Sequence, residues 1–337
     1  MLTETPSSPR RERARGGLAA LGPSILFIAT MVVGALIGTT STAATAVLAP
    51  LVDPFILVLL TLLFVEVRFD GLRRLRHAPR LAALVLGVNF LIAPLVALGL
   101  STVLVADDAL RLGVLLYCLF PCTDWFLGFT RTAGGDTATG AAIIPVSLLL
   151  QIALFPVYVG VLSGESVDAT VATATGTMLT WFVLPLGLAL AVRLVMRWLL
   201  RPAGREAART VIGRAVPFAI AAVIVSLFAG NVGTLAVNSE LIGVLLLTVA
   251  SFFVVMGLIG EGISRLLHLP HPERALLLVS TSARNAPLML ALTALTLPEQ
   301  PLIVAAIVLG MLLEFPHLAL LTAYLRRMRT TRSDVSS

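Results

Sequence analysis

Charge is scarce in this chain, and lysine is absent. Only 12% of the 337 residues are charged, whereas 58% are hydrophobic. A soluble domain carries about 25% charged residues, so the composition excludes an ordinary water-soluble fold. The net charge of +6 comes entirely from arginine among the basic residues. These arginines sit in short loops, which favours a role in membrane topology over nucleic-acid binding.

Cysteine is almost absent as well. The chain has two, Cys118 and Cys122, inside one apolar run, so a disulfide framework is excluded. The sequence also lacks a glycine-rich phosphate loop, a cluster of metal-ligand residues and a plausible Ser/His/Asp set. We therefore expect no enzyme activity, no cofactor and no metal site.

Long apolar runs dominate what is present. Each is long enough to cross a hydrocarbon layer of about 30 Å as a helix, and uninterrupted runs favour helices over alternating barrel strands. We predict ten membrane spans, near residues 18–39, 44–65, 80–105, 109–130, 139–163, 170–196, 210–230, 241–264, 274–297 and 301–325.

The loops between these runs alternate in charge. Arginine-rich loops alternate with loops that lack arginine and are often acidic, and the positive-inside rule places the first set in the cytoplasm. Ten spans put both termini inside, in the plasma (inner) membrane. Arg111 and Arg284 are the two arginines outside this pattern. The arginine-rich set comprises the N-terminus, residues 68–80, Arg131, residues 193–209, residues 265–274 and the C-terminus.

A weak internal repeat divides the chain. At an offset of 160 residues, Phe155-Pro156 matches Phe315-Pro316, and residues 121–127 fall on 281–287. Five spans on each side of the division imply halves of opposite orientation, a common plan of secondary transporters. We therefore predict an all-α membrane protein of two inverted five-helix repeats. The expected parts are a disordered tail (1–16), repeats at 17–163 and 170–326, and a C-terminal tail (327–337). The alternative for the N-terminus is a signal peptide cleaved near 40–46.

Proline interrupts spans 4 and 9 at matching positions. Pro121 and Pro287 each remove a helical hydrogen bond, and polar residues surround both of them. Proline-interrupted spans at corresponding positions are the strongest sequence indication of a transporter's binding site. We predict that the two broken helices cross and that Cys122, Thr123 and Asn285 bind the substrate there.

Two charges fall on each other under the same offset, Asp124 in span 4 and Arg284 in span 9. One hypothesis pairs them where the broken helices cross, with Asp124 also taking part in proton coupling and Arg284 in substrate binding. The alternative is that each lines water or reaches the surface separately.

Glu314 is an acid at the middle of span 10, followed by Pro316 as a further helix-breaking residue. An acid at mid-membrane indicates a proton or cation site. The alternative is a protonated side chain bonded to backbone freed by Pro316. His317 could relay a proton but more simply packs, and Glu261 is expected to pair with Arg265.

The two cysteines have different expectations. Cys118 is interpreted as a small core residue. Cys122 lies in the broken segment, where a thiolate could bind a soft metalloid. Asn89 and Gln151 either line this site or bond helix to helix.

Phe120-Pro121-Cys122-Thr123 and Leu313-Glu314-Phe315-Pro316, set in ten spans, resemble the bile acid:sodium symporter superfamily, and within it the arsenical-resistance permeases that export arsenite. The resemblance implies that Cys122 is the essential thiol and Glu314 the coupling acid. It departs at residues 124–128, and residues 282–287 are closer to broader superfamily members.

The implied function is arsenite efflux coupled to proton entry, because arsenite is soft and uncharged at neutral pH. The alternative is sodium-coupled uptake of an organic anion, which would use Arg284 and not Cys122. A non-transporting membrane sensor is the third reading. The expected partners are therefore a small inorganic or organic anion, a proton or sodium, and the lipid bilayer, with no nucleic acid.

Overall fold

The structure is a computed structural model that describes residues 9–67, 70–123, 125–163, 167–237, 239–297 and 300–335. In the described residues the regular backbone is helical, which confirms the all-α prediction. In chain order the helices are α1 (Pro9–Thr40), α2 (Thr42–Leu48), α3 (Val52–Glu66), α4 (Pro79–Gly87), α5 (Ala93–Leu104), α6 (Asp108–Leu119), α7 (Phe126–Thr132), α8 (Thr137–Ser163), α9 (Val167–Leu199), α10 (Pro202–Val237), α11 (Ser239–Leu266), α12 (His271–Ser282), α13 (Ala286–Thr296) and α14 (Pro301–Val335).

Six helical segments of the described chain are long and apolar enough to cross a membrane. Two of them join neighbouring helices without a break, α2 with α3 and α4 with α5. All of them carry at most two charged residues in an apolar window of 18. The segments are Thr42–Glu66, Pro79–Leu104, Thr137–Phe155, Pro202–Asn231, Ile242–Leu266 and Pro301–Arg329.

The terminal helices extend beyond the apolar runs. α1 begins at Pro9 and α14 ends at Val335, so helix occupies parts of both segments expected to be tails. Arginine and glutamate are good helix formers, which accounts for helical backbone in these polar stretches. The division of the chain at 16, 163 and 326 stays a prediction.

The outer face of the helices is apolar. On α9, Leu190 is 56% exposed and Trp198 is 82% exposed, and α10 presents Phe218 in the same way. A water-soluble protein would cover such side chains. Their exposure fits a protein whose surroundings are hydrocarbon.

Two predicted spans are interrupted in their middle, as the prolines indicated. α6 ends at Leu119 and α7 begins at Phe126, while α12 ends at Ser282 and α13 begins at Ala286. We call residues 120–125 the first break and residues 283–285 the second break.

Pro316 does not interrupt its helix, which corrects the prediction of a third break. α14 continues through this proline from Pro301 to Val335. Proline costs a helix one hydrogen bond, and packing against neighbouring helices lets long membrane helices tolerate that loss.

A π-helical turn, Val88–Ile92, separates α4 from α5. Pro94 follows it and has no N–H to donate to the carbonyl of Phe90. The Tyr158 hydroxyl donates to that carbonyl instead, at 3.2 Å. This turn includes Asn89, whose side chain is buried.

α6 and α14 approach each other closely through glycine. A Cβ on Gly310 would lie 2.8 Å from the Tyr117 ring, and one on Gly113 would lie 2.6 Å from Ala306. Small residues allow such contact between membrane helices. The contact sets Tyr117 of α6 beside Glu314 of α14.

Candidate functional site

The two breaks pair with each other in the centre of the protein. Phe120 and Ala283 have extended backbone, and Pro121 and Arg284 form an antiparallel bridge. The Cys122 N–H donates to the Ala283 carbonyl at 3.0 Å, and the Asn285 N–H donates to the Phe120 carbonyl at 2.9 Å. Pro287 frees the Ala283 carbonyl from helical bonding, so one break accepts what the other donates.

A polar cluster surrounds this bridge. The Asn285 side chain donates to Gln151 Oε1 at 2.6 Å and to Thr123 Oγ at 3.2 Å. Gln151 of α8 donates in turn to the Pro121 carbonyl at 2.9 Å. Asn285 also caps α13, accepting from the Leu288 N–H at 3.4 Å. The first break, the second break and α8 therefore hold the bridge together. Gln151 bonds one segment to another, which was one of the two roles expected for it.

The two cysteines differ in position. Cys118 lies in α6 and is fully buried, as expected for a core residue. Cys122 lies in the first break, 4% exposed, with its backbone in the bridge. Thr123 follows it and is half-buried. The thiol of Cys122 is therefore at the pairing of the breaks, and its role in binding stays a prediction.

Glu314 is fully buried and accepts three hydrogen bonds. Trp125 Nε1 donates to Oε1 at 2.8 Å, the Arg284 backbone N–H donates to the same oxygen at 3.1 Å, and the Tyr117 hydroxyl donates to Oε2 at 3.1 Å. These donors come from the first break, the second break and α6. Such a set stabilises the ionised carboxylate.

Arg284 is a fully buried charge at the second break. Its guanidinium donates to the Cys118 carbonyl and to Asn89 Oδ1, each at 3.0 Å, and to the Thr281 carbonyl. It also lies 5.3 Å from the centre of the Phe252 ring. Among the described residues its Nε has no hydrogen-bond partner. Asp124, and with it the hypothesis of an Asp124–Arg284 pair, lies outside the described residues.

The second arginine outside the topology pattern, Arg111, is explained by a local contact. It lies in the first turn of α6 and pairs with Asp108 at 2.5 Å. The side chain of Asp108 is 86% exposed, so this pair is a surface feature. Arg284 alone of the two belongs to the polar centre.

The expected Glu261–Arg265 pair is confirmed, with an N–O distance of 2.7 Å. The pair is part of a larger network of hydrogen bonds than the sequence predicted. Arg274 of α12 also donates to both oxygens of Glu261, at 2.5 and 2.9 Å. Arg274 donates further to the Tyr324 hydroxyl at 3.3 Å. Glu261 and Arg274 together thus join α11, α12 and α14.

His317 packs against a neighbouring ring, which was the simpler of the two roles expected for it. Its ring stacks on Phe253 with centroids 4.6 Å apart and an interplanar angle of 8°. Within the described chain its buried Nε2 has no hydrogen-bond partner.

Two residues of the site, Tyr117 and Trp125, were not predicted for it. Tyr117 and Trp125 donate to Glu314, and Asn89, which had two open readings, accepts from Arg284. A signal existed for Trp125, because an indole beside a helix break has an N–H that needs an acceptor. Tyr117 reads as one more apolar residue of span 4, and only packing reveals its partner.

Three cavities that share lining residues lie between Trp125 of the first break and the arginines of α9 and α10. The innermost, of about 230 Å³, is lined by Trp125, Phe315 and Glu66. The middle one, of about 160 Å³, shares Glu66 with it and adds Arg209. The outermost, of about 730 Å³, shares Arg209. Trp125 therefore lines a cavity, and its N–H also donates to Glu314.

Comparison with known proteins identifies the family. The Sodium Bile acid symporter family matches residues 53–238, more than half of the chain, from α3 into α10. The matched range includes the first break and ends before the second. A sequence comparison with curated proteins finds no match. Together with the apolar helices, the match makes this a multi-pass membrane protein of a transporter family. The chain belongs to the sodium bile acid symporter family.

Proposed function

We propose that this protein is a secondary transporter that exports arsenite in exchange for protons, with the cargo bound at the paired breaks. The observation that carries the proposal is the pairing itself. Cys122 bonds Ala283 through its backbone, and the next residue, Arg284, bonds the Glu314 carboxylate. The backbone of Cys122 and the carboxylate of Glu314 are therefore both bonded to the second break, although 192 positions separate the two residues in the chain.

Binding of the cargo would use the Cys122 thiol. Arsenous acid, As(OH)₃, is uncharged at neutral pH, and its arsenic is soft. The thiol replaces one hydroxyl, forming an S–As bond and releasing water. Thr123 and Asn285 lie within one hydrogen bond of each other and would accept from or donate to the remaining hydroxyls. Soft metalloids prefer sulfur ligands, which gives the thiol its selectivity.

Coupling would use Glu314. The three donors favour the ionised carboxylate whereas burial favours the protonated form, so Glu314 would bind a proton when its donors rearrange. Because Trp125 belongs to the first break and the Arg284 N–H to the second, any movement of the breaks alters this set. Proton uptake from outside and release inward would then follow opening of the breaks to each side in turn.

The ten-span inverted repeat is part of the same proposal. In this proposal the helices and the two interrupted segments correspond to the ten apolar runs of the sequence, and the breaks would occupy equivalent places in the two halves. Inverted repeats move against each other around a central site. The arginine-rich loops would face the cytoplasm, with both termini there.

Sodium-coupled uptake of an organic anion is the second candidate, and one observation favours it. The cluster around the bridge presents hard oxygen atoms, namely Gln151 Oε1, Thr123 Oγ and the Pro121 carbonyl. Alkali and alkaline-earth cations prefer such oxygen ligands. This function would not require the thiol of Cys122.

The test is arsenite accumulation in an arsenite-sensitive bacterial host that expresses wild type, Cys122→Ser or Cys118→Ser. We expect wild type and Cys118→Ser to lower accumulation and Cys122→Ser to have no effect. The two cysteines lie one helical turn apart, so Cys118→Ser controls for loss of a buried thiol. Equal activity of both variants would disprove the thiol-dependent mechanism.

Vesicles separate the two candidates. Purified protein should take up arsenite in response to a proton gradient, and Glu314→Gln should abolish this response. If a sodium gradient drives uptake of taurocholate while arsenite does not move, the second candidate replaces the first.

A further inference from the structure

The outermost cavity lies away from the paired breaks and has a strongly basic lining. It measures about 730 Å³ and lies between the C-terminal part of α9 and the beginning of α10. One acid, Glu206, accompanies four arginines in its lining, so the local charge is positive. The arginines are Arg193, Arg197, Arg205 and Arg209.

One arginine fixes the position of this cavity. Arg193 donates from Nε and Nη2 to the Val65 carbonyl, at 3.2 and 2.9 Å, and from Nη2 to the Val67 carbonyl. These carbonyls belong to the C-terminal end of α3, where a cation is favoured by the helix dipole. The cavity floor is therefore built from three helices, α3, α9 and α10.

The wall on α9 continues as an apolar stripe. Leu186, Leu190 and Leu194 are spaced four residues apart and so lie on one face of the helix. They are 47%, 56% and 54% exposed, and the last two also line the cavity. A basic cavity and an apolar face toward lipid thus adjoin each other.

We propose that this cavity binds the headgroup of an anionic phospholipid, with the acyl chains packed along the stripe. Arginine binds phosphate through two parallel N–H bonds, and four arginines exceed what one acid can neutralise. Basic pockets between membrane helices on the cytoplasmic side are typical sites for anionic lipid headgroups. A free organic anion would satisfy the arginines but would leave the stripe without a partner.

The same site would connect lipid composition to transport. Arg209 lines both the outermost and the middle cavity. Glu66 lines both the middle cavity and the innermost cavity, which Trp125 also lines. A headgroup in the outermost cavity would therefore contact Arg209, which also lines the middle cavity. Arg193, which also lines the outermost cavity, donates hydrogen bonds to the C-terminal end of α3.

Native mass spectrometry of the purified full-length protein tests the proposal with phosphatidylglycerol and phosphatidylcholine. The variant is Arg197→Ala with Arg209→Ala, which leaves Arg193 and its bonds to α3 unchanged. The control is Arg73→Ala with Arg76→Ala, two exposed arginines of another arginine-rich loop. Loss of two charges should weaken phosphatidylglycerol binding roughly 30-fold, while the control pair stays within about threefold of wild type.

Two outcomes would overturn the proposal. The first is equal retention of phosphatidylglycerol by the variant and its control. The second is displacement of the lipid by millimolar glycerol 3-phosphate, which would indicate a site for free anions. Because lipid retention is measured without arsenite, the result is independent of the function proposed above.

Discussion

The two helix breaks look equivalent in sequence and differ in surroundings. The second break is fully buried at Ala283, Arg284 and Asn285. The first break has half-buried Thr123 and Trp125, and Trp125 lines a cavity. Each break supplies backbone bonds to the other, but only the first, among the described residues, reaches open space.

The difference suggests a division of labour between the breaks. Arg284 satisfies carbonyls of α6 and α12 and the side chain of Asn89, which is the work of a structural anchor. In the first break, Trp125 lines the cavity while its N–H donates to Glu314. We therefore expect substitution of Arg284 to affect mainly stability and substitution of Trp125 to affect mainly transport.

Replacing Arg284 should have the largest effect. Arg284→Met leaves several buried acceptors without a donor, which costs about 3–5 kcal/mol in buried charge networks. Thermal unfolding of the purified protein in detergent measures it. Arg111→Met is the control, because its pair with Asp108 is exposed and contributes at most about 1 kcal/mol. Equal unfolding temperatures of the two variants would contradict the anchor role.

Trp125→Phe tests the first break. Phenylalanine keeps an aromatic ring next to Phe315, whose ring centre lies 4.9 Å from that of Trp125. The substitution removes the N–H that donates to Glu314. One hydrogen bond to a charged group corresponds to roughly a tenfold change in rate.

Proton-driven arsenite uptake into vesicles gives that rate, and unfolding temperatures should change little. Trp198→Phe, on the exposed face of α9, is the matched control. If Trp125→Phe unfolds early and transports normally, the two breaks have the opposite roles to those inferred here.

The hydrogen bond between the second break and α8 should contribute a smaller free energy than the bonds of Arg284. A double-mutant cycle of Asn285→Ala and Gln151→Ala measures the energy of their 2.6 Å hydrogen bond, which we expect to be about 1 kcal/mol. Unfolding by denaturant in detergent supplies the four free energies. Strict additivity would mean that Gln151 supports the first break alone, through the Pro121 carbonyl.

A similarly small effect is expected at the turn between α7 and α8, outside the apolar spans. Asp136 accepts from the Thr139 hydroxyl at 2.6 Å and from the N–H groups of Ala138 and Thr139. Burial alone would raise the pKa of this carboxyl, but the bonds from Thr139, the charge of Arg74 and the bond from Ala138 together outweigh burial, so the pKa lies below its usual value of 3.8. Asp136→Ala should cost about 1 kcal/mol at neutral pH.

The pH dependence has a definite sign. A carboxyl whose pKa is lower in the folded protein stabilises the fold above its unfolded pKa, and this contribution disappears as the pH falls through the folded pKa. The difference in unfolding temperature between wild type and Asp136→Ala should therefore shrink below pH 3.8. A constant difference down to pH 2 would exclude the ionised cap, and Asp108→Ala, at an exposed position, provides the comparison.

The sequence predicted the elements of this protein well, because each depends on local properties. Apolar length and proline spacing are visible along the chain, so the helices and the two breaks followed directly. The Glu261–Arg265 pair was predictable for the same reason, since four residues bring side chains onto one helix face. Pro316 was the exception, because neighbouring helices, not the proline itself, determine whether a helix continues.

Contacts across the fold could not be predicted in this way. Tyr117 and Trp125 meet Glu314 across 197 and 189 positions, and nothing near either residue indicates the acid. Arg193 gave only a topology signal, although it ends up bonded to the carbonyls of α3.

The sequence by itself determined that the chain resides in a membrane, that its spans are helical, and that two of them are interrupted by proline. The sequence also predicted that the two broken helices cross, but the tertiary structure alone decided which backbone groups of the breaks pair, that Glu314 receives its three donors, and that four arginines surround one cavity. The physical reason is that hydrophobicity and backbone restriction act within a few residues, whereas a hydrogen bond requires two particular groups to meet. That meeting is fixed by how helices pack, and packing depends on all of them together.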